Sequence, residues 1–357
     1  MRSSNMNILK DKLRAVKRIM LLVLIAFIVS ENSFAQNVNR PNKIGPMGIE
    51  VNTLTGNLFL GRNDIYIPAR RLDFMISFAY NSYNFDTKSP YGNGWNLLYD
   101  ISYRIDTAGK VTITWGDGRE DVYTNNGGQL TPPAGIFDSL TQYQPGKYLL
   151  RTLDGLKLYF DNSTLRRLTK LTEPNGNFQS LNYTDTLVTS IVNNAGQTVT
   201  LGYTNGKLTS LIDANASPSL IYHYNYDAYG NLIKVTDPAG GAQKYSYLLN
   251  GPIETVTDEN NNVADIIYYS DFSAREIISC NSRTAFSYDT ATRTTTVIDF
   301  VPTSQNQTTT YVYNEKGWLA NLIGSCCGYN MSFTYDNSGN LIERKDANGN
   351  IFFTVSI

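Results

Sequence analysis

The sequence predicts an all-β chain: an irregular N-terminal β domain followed by a ribbon of β-hairpin repeats that forms a curved or partly spiralled sheet. Three observations predict it. A phrase recurs, since Tyr226-Asp227-Ala228-Tyr229-Gly230-Asn231-Leu232 returns as Tyr335-Asp336-Asn337-Ser338-Gly339-Asn340-Leu341. Self-similarity at a short period means one small unit used many times. Stretches such as Leu220 to Tyr226 and Thr308 to Tyr313 are β-branched and aromatic with no 3.6-residue stripe, which excludes helical repeats. Gly, Asn and Asp cluster between these stretches, as tight turns require.

The first element is a targeting segment. Lys10, Lys12, Arg14, Lys17 and Arg18 precede an apolar run from Ile19 to Val29, and Ser33-Phe34-Ala35 puts small residues ahead of a cleavage point between Ala35 and Gln36. This is the pattern of a secretory signal peptide over residues 1–35. The apolar run is too short for a stable membrane span, which takes about 20 residues. Residues 1–35 hold six Lys/Arg and two Asp/Glu, a net +4 in a chain of net −1, so the remainder carries −5. A mildly acidic, evenly mixed surface has no footprint for nucleic acid.

The second element, residues 36–150, has strand-like pieces without a period. Thr112 to Trp115 and Val122-Tyr123 flank Gly116-Asp117-Gly118, which reads as a hairpin turn. The third element, residues 151–357, carries about nine degenerate copies of the unit. Their aromatic anchors are Phe160, Tyr183, Tyr203, Tyr226, Tyr247, Tyr269, Tyr288, Tyr313 and Tyr335. A spacing of about 22 residues suits one hairpin of two strands and two turns. Asp227 and Asp336 are expected to bond their own backbone two residues on, with Gly230 and Gly339 supplying positive φ. Leu232 and Leu341 close the phrase, and Asp237 and Asp346 mark the opposite turn.

The phrase Tyr-Asp-x-x-Gly-x-Leu at this period resembles the YD repeat of bacterial RHS proteins. Ahead of it, Asn52-Thr53-Leu54-Thr55-Gly56-Asn57-Leu58, Phe78-Ala79-Tyr80-Asn81-Ser82 and Tyr91-Gly92-Asn93-Gly94-Trp95 follow in the order found in the domain that precedes such repeats. The resemblance implies a hairpin ribbon like the hollow spirals of RHS, toxin-complex and teneurin proteins, here as an incomplete shell. It implies a non-enzymatic, secreted structural protein, used to enclose a toxin or to meet other cells. The partners implied are a C-terminal toxin cargo or further repeats of a longer protein. The chain ends at Ile357 directly after a clear copy and is read as a fragment or truncated product.

Other signals are weaker. Cys280, Cys326 and Cys327 make an odd number, so at least one thiol is free or pairs outside the chain. A vicinal Cys326–Cys327 bond is one reading. Two repeats separate Cys280 from Cys327, nearly 20 Å at the strand spacing, too far for a disulfide. His223 is the single histidine and reads as an ordinary strand residue, although any Ser-His-Asp hydrolase site would need it. Gly324-Ser325-Cys326-Cys327 lacks the downstream histidine of a papain-like site. Asp258 to Asn262 and Asp346 to Asn350 alternate oxygen side chains as calcium loops do, but lack the closing Glu, and Asx-turns account for them. Asp237-Pro238-Ala239-Gly240 is similar to the self-cleavage motif of long RHS proteins, yet it falls on a repeat turn. Trp95, Trp115 and Trp318 could stack on sugars, so a carbohydrate-binding surface module is the alternative to a scaffold and a hydrolase is the third reading. No cofactor is expected.

Overall fold

The computed structural model describes residues 40–68, 72–301, 305–324 and 330–353. The Ala35–Gln36 junction, Cys326 and Cys327 lie outside these residues. The described chain is all-β, as its sequence predicts.

Its strands form antiparallel sheets of five, four and 21 strands. The five-stranded sheet runs from Asn42–Ile44 to Trp95–Leu97 and is called the inner layer below. The four-stranded sheet runs from Ser102–Ile105 to Gln129–Thr131 and contains the Trp115–Arg119 turn between Val111–Thr114 and Glu120–Asn126. The 21-stranded sheet, the ribbon, opens at Ser139–Gln144 and continues to Ile351–Phe353. Every ribbon strand pairs with its sequence neighbours, and the sheet does not close on itself. Short turns between alternating strands dictate this order, because a tight turn can only bring the next strand alongside the last.

The ribbon strands alternate as a one-sided sheet should. In Thr198–Thr204, Val199 and Leu201 are buried and Thr200 is exposed. The buried face packs on the inner layer in one continuous core. Ile49, Leu60, Phe74 and Trp95 from the layer meet Leu211, Val235, Val256 and Val297 from the ribbon.

One device recurs at the turn edge of the hairpins. A β-bulge falls just before the anchor tyrosine, which then pairs with the aliphatic residue beyond the turn: Tyr203 with Leu208, Tyr226 with Leu232, Tyr247 with Ile253, Tyr313 with Leu319 and Tyr335 with Leu341. The anchor expected at Tyr269 is instead Tyr268, which follows the bulge and pairs with Ala274. Adjacent residues of a strand face opposite sides, so a one-residue error moves the ring to the other face. Spacing alone could not separate the two tyrosines.

Candidate functional site

The repeat residues build two turn types and a seam. In the YD turn, Asp227 Oδ1 accepts the N–H groups of Tyr229 and Asn231, both at 2.9 Å, and its Oδ2 accepts the Asn231 side chain. Asp336 does the same with Ser338 and Asn340. Gly230 has φ 89° and Gly339 φ 88°, the left-handed region that favours glycine. The second bond, four residues on, is an addition to the expected Asx-turn. Asp237 makes the same pair of bonds to Ala239 and Gly241, and Asp346 to Asn348 and Asn350, on the opposite edge. Asp258 follows suit with Asn260 and Asn262. These carboxylates stabilise turns with the oxygens that a calcium ion would need. Among the described residues no group of three or more His, Cys, Asp or Glu is placed to hold a metal.

The seam joins successive hairpins. Six anchor phenols reach the backbone carbonyl of the aliphatic residue in the preceding unit, whereas that of Tyr313 meets Thr53 of the inner layer. Tyr183 donates to Leu168 at 2.6 Å, Tyr203 to Val188 at 2.9 Å, Tyr247 to Leu232 and Tyr268 to Ile253 at 2.8 Å. Tyr288 donates to Ala274 at 2.8 Å and Tyr335 to Leu319 at 2.9 Å. Burial pushes the Tyr203 and Tyr335 phenols up to about 12 and the others further. Tyr226 departs from the pattern. A longer loop, 214–219, precedes its strand, and its buried hydroxyl has no hydrogen-bond partner among the described residues.

The inner layer completes the seam from the other side. The N–H of the same aliphatic position donates into it, or for Leu168 to the segment just after it: Leu168 to Ile101 O at 2.8 Å, Leu208 to Pro90 O at 2.9 Å, Ile253 to Tyr80 Oη at 3.0 Å and Ala274 to Gly56 O at 2.8 Å. Bulge and turn release these groups from the strand ladder, and burial requires that they be paired. Asn93 N–H donates to Gly230 O at 3.1 Å. At neighbouring Gly92, φ is 117° and an added Cβ would lie 2.8 Å from Leu232 Cβ, so the Tyr91–Trp95 phrase is the surface on which the YD turn sits. Trp95 Nε1 donates to Tyr247 Oη at 3.1 Å. Deeper in, Arg62 and Asp64 form a buried pair, their side chains 9% and 1% exposed. Arg62 also bonds Gln243 and Tyr245 of the ribbon, and Tyr224 bonds Asp64.

The catalytic readings find no constellation. His223 is an exposed strand residue paired in register with Ser210 and Thr236, and no side-chain hydrogen bond reaches its imidazole among the described residues. Cys280 is an exposed free thiol in the turn between Ala274–Ser279 and Ser282–Asp289. Trp95 is fully buried, Trp115 lies under Arg119 at 4.5 Å, and Trp318 lies against Tyr335 with Lys316 over its ring. Sequence reasoning missed the seam and the layer contacts. The seam's signal was present, as an aliphatic residue fifteen positions before most anchors.

Residues 204–353 match the teneurin YD-shell family, and residues 48–123 match a domain family of unknown function, DUF6531. No curated protein matches the chain. Solved structures with a similar fold include TcdB2-TccC3-Cdc42, at 13% identity and a TM-score of 0.42 over 86% of this chain and 19% of that one. TcdB2-TccC3 has 13% identity and a TM-score of 0.41 over 86% and 20%. The Photorhabdus luminescens Tc holotoxin pore has 12% identity and a TM-score of 0.34 over 84% and 18%. The chain thus spans about a fifth of the length of these chains. Two family matches in chain order, over a ribbon whose repeat residues build its turns and bond hairpin to hairpin, make residues 204–353 a YD-repeat ribbon of the teneurin YD-shell type.

Proposed function

We propose that the chain is a passive wall segment of a secreted RHS-type shell that encloses a toxic cargo supplied by the rest of a longer protein. The tyrosine seam carries this reading. It commits the repeat's reactive-looking groups to holding hairpins side by side, which is the work of a wall. The division proposed is a leader over 1–35, a pre-repeat unit over 36–150 and repeats over 151–357. Secretion rests on the basic and apolar leader. No helix among the described residues is long and apolar enough to cross a membrane.

Limited proteolysis of the natural full-length protein tests the enclosure. A C-terminal segment that resists protease until the shell is unfolded supports it. A C-terminal segment digested at the rate of a free peptide opposes it. Fractionation of the producing cells tests the leader separately: intact mass of the extracellular protein should begin at Gln36.

A further inference from the structure

A cavity of about 810 Å³ lies between the inner layer, the Trp115–Arg119 turn and the opening hairpins of the ribbon. That is within the roughly 300–1,000 Å³ of small-ligand sites. Its bed is apolar: Met75 and Leu98 come from the layer side, and Leu156, Leu158 and Leu171 from the ribbon. Tyr99 closes it beneath, with its hydroxyl on Gln179. Leu153, 76% exposed, lies on the rim.

The charges on the lining do not balance. Asp73, Asp117, Asp138 and Asp154 all line the cavity, and among the described residues Arg119 is the only cationic one on its wall. Arg119 is partly engaged, with Nη2 3.2 Å from Asp121 Oδ2 and its guanidinium over Trp115, while its buried Nε has no partner among the described residues. Among the described residues three of these carboxylates hold neutral donors: the backbone N–H of Arg119 on Asp117, the Leu153 N–H on Asp138 and the Thr152 hydroxyl on Asp154. Burial also raises the Asp138 carboxyl above its ordinary range, with the Leu153 N–H and Arg119 opposing the rise and Asp121 and Asp154 adding to it. An apolar bed with surplus negative charge complements a ligand that is apolar along its length and cationic at one end.

We propose that this cavity binds an alkyl or aliphatic chain ending in an ammonium or guanidinium, with Asp138 and Asp154 receiving the cation and the leucines its chain. That chemistry has two sources, a free amphiphilic amine or a lysine set among apolar residues of a polypeptide.

Isothermal titration of the folded protein at pH 7 separates them, using decylammonium, decanoate and the peptide acetyl-Leu-Lys-Leu-amide. Decylammonium should bind at one site and be preferred to decanoate by about tenfold or more, the yield of a charge-assisted contact. The paired change Asp138→Asn and Asp154→Asn should remove that preference. Leu153→Lys, at an exposed position, sets a tethered ammonium at the rim and should weaken decylammonium by about tenfold on the same grounds. Binding of the peptide alone, with the same dependence on the two aspartates, supports the site and names a polypeptide as its source. Equal binding of decanoate, a preference that survives the asparagine changes, or no binding of either cation overturns the proposal. If the asparagine variant fails to fold, an unchanged affinity in a folded Leu153→Lys protein overturns it as well.

Discussion

Tyr226 and Tyr268 hold the same place in their hairpins and differ by one hydrogen bond. Tyr268 donates to Ile253 O, whereas the Tyr226 hydroxyl is buried without a partner among the described residues. Tyr268→Phe should therefore cost about 1–2 kcal/mol, because a carbonyl loses its donor. Tyr226→Phe should fall within about 0.5 kcal/mol of the parent or stabilise it, because it removes only an unpaired polar group. Urea unfolding of the two variants checks this, and equal losses would mean that Tyr226 has a partner after all. The turn chemistry was legible at this scale because Asp227 and Gly230 act within a few residues of each other. The phenol bonds were not, because each closes across a neighbouring strand and looks like nothing in a local window. Tyr269 shows the limit: two tyrosines side by side give one spacing signal, and only the bulge at Ile267/Tyr268 decides between them.

At the level of elements, the hairpins were readable from alternation and turn residues, and the inner layer's path was not. Residues 40–97 have no period, so nothing in them announces that Pro90, Tyr80 and Gly56 supply acceptors at regular steps of a ribbon more than a hundred residues away. The Arg62–Asp64 pair was equally hidden, since its burial depends on Tyr224 and Tyr245 closing over it. Asp64→Asn should cost about 3–5 kcal/mol by leaving Arg62 charged and unpaired in the interior, and thermal melting will show it. Hydrogen exchange gives an independent measure of the layer's reach. The amides of Leu208, Ile253 and Ala274, which donate into the layer, should exchange far more slowly than that of Leu341, in a strand with no fully buried residue.

For the whole molecule, the concentration of buried phenols sets a pH limit. Burial raises their folded pKa above the unfolded value of about 10. Their contribution is fully present below that value and is lost as pH rises towards about 12, where the unfolded chain ionises and the folded one does not. Each such tyrosine removes about 1.4 kcal/mol per pH unit in that window. Melting temperature should accordingly be nearly flat up to about pH 9.5 and then fall steeply. A gentle decline through pH 11 would mean that the rings titrate freely.

The order of contacts along the inner layer and the segment just after it also bears on how the molecule is made. Ile101 meets Leu168, Pro90 meets Leu208, Tyr80 meets Ile253, Gly56 meets Ala274 and Thr53 meets Tyr313, so later hairpins touch progressively earlier residues. A chain emerging amino end first presents the docking surface before any repeat exists. Each new hairpin then lands beside its predecessor on ground already laid, and the wall grows like a zip drawn back towards its own starting point.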